Sequence, residues 1–252
     1  MDEAQDLHPT QWRVLRAAAV PGPDDLFITG DPPQRIYDSK VSLSSLGTSV
    51  AGRSSRLRIN YCSTEEILSW STAVLSGSRS KTSAEDSLSG YRSLLHGKRP
   101  HAQGYANIHA EMGALVERVR EWLDQGVAAN EIAVCARFNT TLSTVHDELT
   151  AAGVPAVRVR DQPGAAVDGV RLATMHAIKG LEFRCVAMVG VTARAVPFEK
   201  EVTPAEVDQV QHDNDLLRER CLLFVASMRA REALHVSWSG SPSPFLGVAA
   251  GG

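Results

Sequence analysis

Hydrophobic and polar positions form their clearest pattern in residues 170–191. Apolar side chains dominate residues 170–173, a segment with several polar groups follows at 174–183, and a nearly continuous apolar run covers residues 185–191. Such runs are typical of strands buried on both faces of a parallel sheet. The pattern predicts two core strands joined by a turn that carries a hydroxyl, an imidazole, an ammonium, a glycine and a carboxylate. Because ligands of open α/β sheets bind at strand ends, this turn is a candidate functional segment.

Helical and strand patterns alternate through the C-terminal half of the chain. Apolar residues recur at helical spacing from Met112 to Leu123, and Gly126 supplies a stop. Arg137 and Asn139 follow a predicted strand, where they suit a contact to nucleotide or DNA, although helix capping by Asn139 or Thr140 is the more common arrangement. The predicted elements are a helix at 110–125, a strand at 132–136, a helix at 142–152, a strand at 156–159, strands at 170–173 and 185–191, a helix at 213–230 and a strand at 233–238 that closes the sheet. This order predicts an α/β fold with a parallel sheet flanked by helices.

The first hundred residues carry shorter patterns. Pro9 suits a first helical turn, and Trp12 and Leu15 share one helical face before the Pro-Gly-Pro at 21–23 stops the helix. Further predicted elements are a strand at 26–29, a connection at 39–55, a strand at 56–61, a helix from a capping box at 63–66 through residue 75, and a loop at 76–104.

Composition sets limits without choosing a function. The 252 residues include 43% hydrophobic and 22% charged residues and a net charge of −3, which is ordinary for a globular chain of one or two domains. Nucleic-acid binding would therefore have to use local basic patches. Four scattered cysteines without a C-x-x-C pair predict reduced thiols and argue against zinc or a disulfide framework. Because no run of about 18 apolar residues and no signal-peptide core is visible, we expect a cytoplasmic protein with no membrane partner.

Five short segments resemble, in order, motifs II to VI of the UvrD/Rep-like DNA helicases, superfamily 1 motors that use ATP to move along single-stranded DNA. They are D-E-A-Q-D at 2–6, G-D-P-P-Q-R-I-Y at 30–37, L-R-I-N-Y-C-S at 57–63, T-M-H-A-I-K-G-L-E-F at 174–183 and E-R-C-L-L-F-V-A-S-M-R-A at 219–230. Each segment alone is weak evidence, but five in the family's order and approximate spacing rarely arise by chance. The resemblance implies a RecA-like second motor domain (2A-like), preceded by a remnant of the first RecA-like domain.

The resemblance also implies catalytic residues and cofactors. Asp2 would bind Mg²⁺, and Glu3 would orient or deprotonate the water that attacks ATP. Gln34 would sense the γ-phosphate, and Arg229 would be the arginine finger of motif VI. The implied cofactors of the complete enzyme are ATP and Mg²⁺.

Nucleotide contacts are implied for Tyr61, which would stack on adenine, and for Gly180 and Glu182 in motif V. Where motif IV of the family has an arginine that reaches the γ-phosphate, this chain has Cys62, whose thiol cannot supply a bidentate cationic donor. Arg58 is the candidate substitute on the predicted strand. We expect little rescue from it, because four residues along a strand span about 13 Å.

Contacts to single-stranded DNA are implied for Tyr37, which ends the motif III segment, and for Thr174, His176 and Lys179 in motif V. A structural role for His176 in the turn is an equally good interpretation.

The chain contains no G-x-x-x-x-G-K-[ST] segment. That segment supplies the amide cradle, the lysine and the Mg²⁺-binding hydroxyl of a P-loop, so this sequence carries half of an ATP site. We expect the C-terminal part of a helicase, with the first-domain remnant at 1–55, the second motor domain without a sizeable 2B insertion at 56–240, and a tail at 241–252. Its expected partners are single-stranded DNA and the missing N-terminal P-loop part.

Two functions from different classes remain open. In the first, the complete enzyme couples ATP hydrolysis to translocation on single-stranded DNA and to duplex unwinding. In the second, the chain is a non-catalytic RecA-like module that binds nucleic acid or protein. Cys62 favours the second function, whereas the first is favoured by the intact residues Asp2, Glu3, Gln34, Glu182 and Arg229.

Overall fold

The computed structural model describes residues 2–20, 22, 25–34, 36, 52–76, 90–159 and 168–247. The α-helices in this part of the chain are α1 (Pro9–Ala18), α2 (Glu65–Ser76), α3 (Ile108–Asp124), α4 (Asn139–Ala151) and α5 (Gln209–Ser227). The strands are β1 (Ile59–Asn60), β2 (Arg92–Ser93), β3 (His101–Tyr105), β4 (Ile132–Ala136), β5 (Ala156–Arg158), β6 (Val170–Thr174), β7 (Phe183–Met188) and β8 (Ala230–Ser239). Short 3-10 helices occur at Ala4–Asp6, Pro32–Gln34, Ala129–Glu131, Glu199–Glu201 and Pro244–Gly247.

Six strands form a central sheet in the order β3-β8-β7-β4-β6-β5. Every neighbouring pair in this sheet is parallel. Helices cover both faces, so the predicted α/β fold with a parallel sheet flanked by helices is confirmed. The strand at 132–136 and the helices near 110–125 and 142–152 lie where the hydrophobic pattern places them, within about three residues at each end.

Alternating side chains of the central strands build two hydrophobic cores. In β4, Ala133 and Cys135 pack on the face covered by α2 and α5, whereas Ile132 and Val134 pack on the face covered by α3 and α4. Successive strand residues point to opposite faces, so a strand buried on both sides must be apolar at every position. This explains why the central strands were the easiest elements to predict.

Two predicted strands near the N-terminus are wrong in whole or in part. Residues 26–29 form no strand, because a strand needs a ladder and no strand of the described residues lies beside them. Only Ile59–Asn60 of the predicted strand at 56–61 is extended in a ladder, and it pairs with β2 outside the central sheet.

The edge of the sheet also differs from the prediction. Strand β3 lies inside the predicted loop at 76–104 and pairs with β8, which therefore lies between two strands and does not close the sheet. The sequence H-A-Q-G-Y of β3 has no apolar alternation because the strand is at an edge and largely exposed. A strand of this kind gives no hydrophobic signal.

Helix caps depart from prediction as well. Thr64 caps α2, since its Oγ1 accepts from Ile67 N at 3.4 Å. Ser63 instead donates to the Ala230 carbonyl at 2.8 Å. The predicted capping box at 63–66 is therefore wrong, and so is capping by Asn139, because the N-cap of α4 is Phe138 without a side-chain bond.

The C-terminal segment is only partly a tail. Phe245 and Leu246 are buried against the face covered by α2 and α5. The prediction of a tail is thus wrong for residues 241–247, and residues 248–252 lie outside the described residues, as do 37–51 in the predicted connection. Among the helices described, none has the length and apolar character needed to cross a membrane.

Candidate functional site

The predicted catalytic residues meet where the N-terminal segment, residues 2–34, contacts the starts of β7 and β8. These two strands are parallel neighbours, so the residues just before them lie side by side. Glu182 precedes β7 and Arg229 precedes β8. We call the group formed by Arg229, Gln34, Glu182, Glu3 and Asp31 the Arg229 site.

Arg229 is partly buried and hydrogen-bonded only to neutral oxygens. Its Nη2 donates to Gln34 Oε1 at 3.3 Å, its Nε to the Val225 carbonyl at 3.1 Å and its Nη1 to the Leu181 carbonyl at 3.5 Å. Burial lowers the pKa of Arg229, against the fields of Glu182 and other nearby groups. The guanidinium is therefore a desolvated cation held in place without an ionic hydrogen bond.

Gln34 is oriented by the turn that precedes it. Its Nε2 donates to Asp31 Oδ2 at 3.0 Å, which leaves Oε1 for Arg229. Asp31 N in turn donates to Gln5 Oε1 at 2.9 Å. A Cβ on Gly30 would lie 2.8 Å from Gln5 Oε1, so glycine lets the Gln5 side chain accept this bond without moving aside. Burial is the main reason that the pKa of Asp31 is raised.

Lys179 joins the N-terminal segment to the turn after β6. Its ammonium forms a short hydrogen bond to Asp6 Oδ2, donates to the Gln34 carbonyl at 2.8 Å and lies 3.5 Å from Glu3 Oε2. The turn itself is shaped by Thr174, whose Oγ1 accepts from Ala177 N at 3.2 Å.

Gly180 lies directly after Lys179 and has a φ of +79°, a conformation that glycine adopts without cost. The structure thus places Gly180 next to a lysine that is already engaged by three oxygens of the N-terminal segment, whereas the Thr174 side chain bonds within the turn itself.

Asp2 and Glu3 lie on the same segment. The hydroxyl of Thr29 and the backbone amide of Glu3 both donate to Asp2 Oδ1, and these bonds lower the pKa of Asp2. Glu3 has a φ of 52°, which is uncommon for a residue with a Cβ and occurs often at functional positions.

The described residues contain no group of three or more His, Cys, Asp or Glu side chains that could hold a metal ion on its own. An ionised carboxylate such as Asp2 nevertheless suits Mg²⁺, because this ion usually combines one or two carboxylates with water and substrate phosphates.

Cys62 lies beside Arg229, as motif IV implies. Burial, then the field of the nearby Glu182 carboxylate, raises the pKa of Cys62, whereas Arg229 and Arg231 oppose the rise. The structure therefore places a neutral thiol where a second cation is expected. Arg231 was missed in the sequence, where only its position two residues after Arg229 marks it.

Two of the predicted nucleotide contacts, Arg58 and Tyr61, form no side-chain hydrogen bond to this group among the described residues. Arg58 packs against Gly90, and its carbonyl accepts from Arg92 N at 3.0 Å. Tyr61 is 66% exposed. Tyr37, predicted to contact DNA, lies outside the described residues.

His176 belongs to a different cluster at the opposite edge of the sheet. Its Nδ1 lies 3.2 Å from Arg137 Nη1, and Arg137 Nη2 donates to Glu219 Oε1 at 2.9 Å. Glu219 Oε2 accepts from Phe198 N at 3.0 Å. Burial, then the field of Arg137, lowers the pKa of His176 to about 4. We call Arg137, His176 and Glu219 the Arg137 cluster; its contacts match the structural alternative for His176.

Several of these partners were missed as site residues in the sequence. Asp6, Asp31 and Glu219 each lie inside a motif segment, so their positions in the motifs could have identified them as site residues. Arg137 was predicted only as a candidate contact to nucleotide or DNA at the end of a strand, and no sequence pattern links it to Glu219, which is 82 positions away.

Comparison with known proteins defines the class to which this geometry belongs. Residues 160–241 match the UvrD-like helicase C-terminal domain family. The fold is similar to that of the C-terminal domain of a possible DNA helicase from Lactobacillus plantarum WCFS1, with a TM-score of 0.54, 17% sequence identity, and coverage of 75% of this chain and 94% of that one. Residues 160–241 of the chain thus resemble the C-terminal domain of UvrD-like helicases, and the fold is that of a helicase C-terminal domain.

Individual relatives are similar to longer stretches of the chain. The ATP-dependent DNA helicase UvrD2 of Mycobacterium tuberculosis H37Rv is 23% identical over 340 residues, covering 97% of this chain and 47% of the relative. A probable DNA helicase of Mycoplasma pneumoniae is 25% identical over 245 residues, with 93% and 42% covered. RecBCD enzyme subunit RecB of Mycolicibacterium smegmatis is 26% identical over 200 residues, with 64% and 18% covered. The chain spans less than half the length of these relatives.

Proposed function

We propose that this chain supplies the second motor domain and one side of the ATP site of a DNA-dependent ATPase that moves along single-stranded DNA and unwinds duplexes. The observation that carries the proposal is the hydrogen bond between Gln34 and Arg229, which joins segments 195 positions apart in the chain. A γ-phosphate sensor and an arginine finger have to act on the same phosphate, so their contact is what this function needs.

Charge at the Arg229 site suits a magnesium–nucleotide complex better than a free nucleotide. Carboxylates of Glu3, Asp6, Asp31 and Glu182 surround two cations, Lys179 and Arg229. This acidic excess would repel bare phosphates, and a divalent cation bound by Asp2 would offset it. ATP would supply the phosphoanhydride bond, Glu3 would hold the attacking water, and Arg229 would stabilise charge on the transferred phosphate.

An ATPase assay tests the proposal. We expect no measurable hydrolysis by the isolated chain, because Asp2 and Glu3 have no P-loop to position the nucleotide against them. When a P-loop-bearing polypeptide encoded in frame upstream is joined to the chain, turnover stimulated by single-stranded DNA should appear. It should then be lost in Glu3→Gln and in Arg229→Ala. ATP hydrolysis that copurifies with the isolated chain and vanishes in Glu3→Gln would contradict the proposal. It would show that this chain does not need a P-loop from another segment.

A second candidate function is a non-catalytic module that binds nucleic acid. The observation that favours it is the thiol of Cys62, which lies near Glu182 and Arg229 at the position where motif IV of the family has an arginine. Binding of oligo-dT by the joined protein, without any ATP turnover at saturating DNA, would favour this function over the first.

A further inference from the structure

A cationic cleft lies beside the first halves of β3, β7 and β8, where the C-terminal half of α3 packs. Its volume is about 420 Å³, within the range of small-molecule sites. The cleft lies at the end of the sheet where these parallel strands begin, whereas Thr174, the last residue of β6, lies at the opposite end of the sheet. None of the residues of the Arg229 site lines the cleft.

Four permanent cations line this cleft, which we call the α3 cleft: Lys98, Arg99, Arg118 and Arg184. The one lining carboxylate, Glu232, is paired with Arg184 at 2.7 Å, and Arg118 is paired at 2.7 Å with Glu121, which does not line the cleft. Lys98 and Arg99 are exposed and form no ion pair with any described residue. The cleft therefore carries an excess of positive charge in a chain whose net charge is negative.

Two buried polar groups in the α3 cleft have no partner among the described residues. They are Nε of Arg118 and Nε2 of His235. His235 is only 2% exposed, and its ring stacks on His101 with centroids 5.1 Å apart. The two Nδ1 atoms are 3.1 Å apart; with His101 as the donor and His235 as the acceptor, Nε2 of His235 carries the proton and has no acceptor among the described residues. A buried polar atom without a partner costs stability, and a ligand oxygen would remove that cost.

We propose that the α3 cleft binds the phosphate of a nucleotide. Arg118 and His235 would contact the phosphate from the closed end, and Lys98 and Arg99 would approach it from the mouth. Trp122 and Gln125, which also line the cleft, give the rest of the nucleotide an aromatic and an amide surface. A free nucleotide and a nucleotide within a DNA strand share this chemistry.

Isothermal titration calorimetry of the full chain with AMP tests the proposal. We expect saturable binding with a Kd at or below about 1 mM, competition by inorganic phosphate, and no binding of adenosine. The double variant Lys98→Glu with Arg99→Glu should weaken AMP binding at least about tenfold, because charge-assisted hydrogen bonds are lost and like charges face the phosphate. The matched control is Arg194→Glu with Lys200→Glu, an equal charge change at exposed positions outside the cleft, and it should bind like the parent chain.

Further titrations test the role of Arg118 and distinguish a free nucleotide from a DNA strand as the source of the phosphate. Arg118→Met should also weaken binding about tenfold while the circular dichroism spectrum stays unchanged. Displacement of AMP by oligo-dT would identify a strand as the source of the phosphate, and its failure would identify a free nucleotide. Equal binding of adenosine and AMP, no saturable binding, or loss of AMP binding in Arg229→Ala but not in the double variant would overturn the proposal. None of these outcomes depends on ATP hydrolysis, so they are distinct from a failure of the proposed helicase function.

Discussion

The Arg229 site and the Arg137 cluster each hold an arginine at one edge of the same sheet, but only one of these arginines has an ionic partner. The guanidinium of Arg137 donates to the carboxylate of Glu219, and the two side chains are 8% and 3% exposed. Arg229 is also removed from water, yet its hydrogen bonds go to an amide oxygen and two backbone carbonyls. A buried arginine that is neutralised within the chain acts structurally, whereas one left with neutral partners retains its charge for an incoming anion.

The largest expected effect concerns the buried ion pair between Arg137 and Glu219, which we interpret as structural. Replacing Arg137 by alanine leaves Glu219 buried without its cation, and the free energy of unfolding should fall by about 3 to 5 kcal/mol. Urea denaturation measures the loss. Arg120→Ala is the control, because this arginine is exposed on α3 and its side chain bonds the Ala152 carbonyl. A loss for Arg137→Ala no larger than that of the control would show that Glu219 is satisfied by other groups.

The next effect is the pH dependence of the Arg137 cluster. The pKa of His176 is lowered to about 4 in the folded chain from an ordinary value of 6.5, so the unfolded chain binds the proton first as pH falls. Stability is therefore complete above about pH 6.5 and is lost down to about pH 4, at no more than about 1.4 kcal/mol per pH unit for this group. Arg137, Glu201 and Arg218 face the imidazole and set this shift together with burial.

Urea denaturation at a series of pH values measures this dependence. His176→Gln should flatten the curve between pH 6.5 and 4, while the contribution of His235, whose pKa is lowered to about 3, should persist. An unchanged curve in His176→Gln would show that the imidazole takes up its proton equally in both states.

A smaller effect is expected where the N-terminal segment joins the Arg229 site. In Lys179→Met the side chain loses its bonds to Asp6 and to the Gln34 carbonyl. We expect a local loss of about 1 to 2 kcal/mol, seen as faster hydrogen exchange in α1 and faster proteolysis of residues 2–34. Lys200→Met, at an exposed position, should change neither rate. Unchanged exchange in Lys179→Met would mean that the apolar contacts of Trp12 and Ile36 hold the segment alone.

The central strands, the edge strands and the Arg229 site differ in how well the sequence predicts them. The central strands are buried on both faces, so their apolar runs specify them, and β4 and β6 lie where they were predicted. The edge strand β3 and the two-residue strand β1 have no such runs, and their pairing depends on contacts with distant segments. The motif segments predicted that Gln34, Glu182 and Arg229 share a site, but not the partners that position them. Asp31 and Gln5 orient Gln34 through bonds that follow from the turn geometry, which no spacing in the sequence reveals.

The smallest expected effect is on catalysis and concerns Cys62. In the joined protein of the proposed helicase, Cys62→Arg would add a second cation beside Arg229 and Glu182. An arginine finger raises the rate about 10³- to 10⁵-fold. An ion pair between the new arginine and Glu182 would reduce this gain, because part of the positive charge would be neutralised before it reaches the phosphate. We expect kcat to rise at least about tenfold, or about 1.4 kcal/mol, with little change in DNA affinity, because the gain is confined to the transition state. Arg58→Ala is the control and should leave kcat unchanged, since Arg58 packs against Gly90. If Cys62→Arg left kcat unchanged and Arg58→Ala abolished turnover, Arg58 would already supply the second cation, and the Arg229 site would be complete without residue 62.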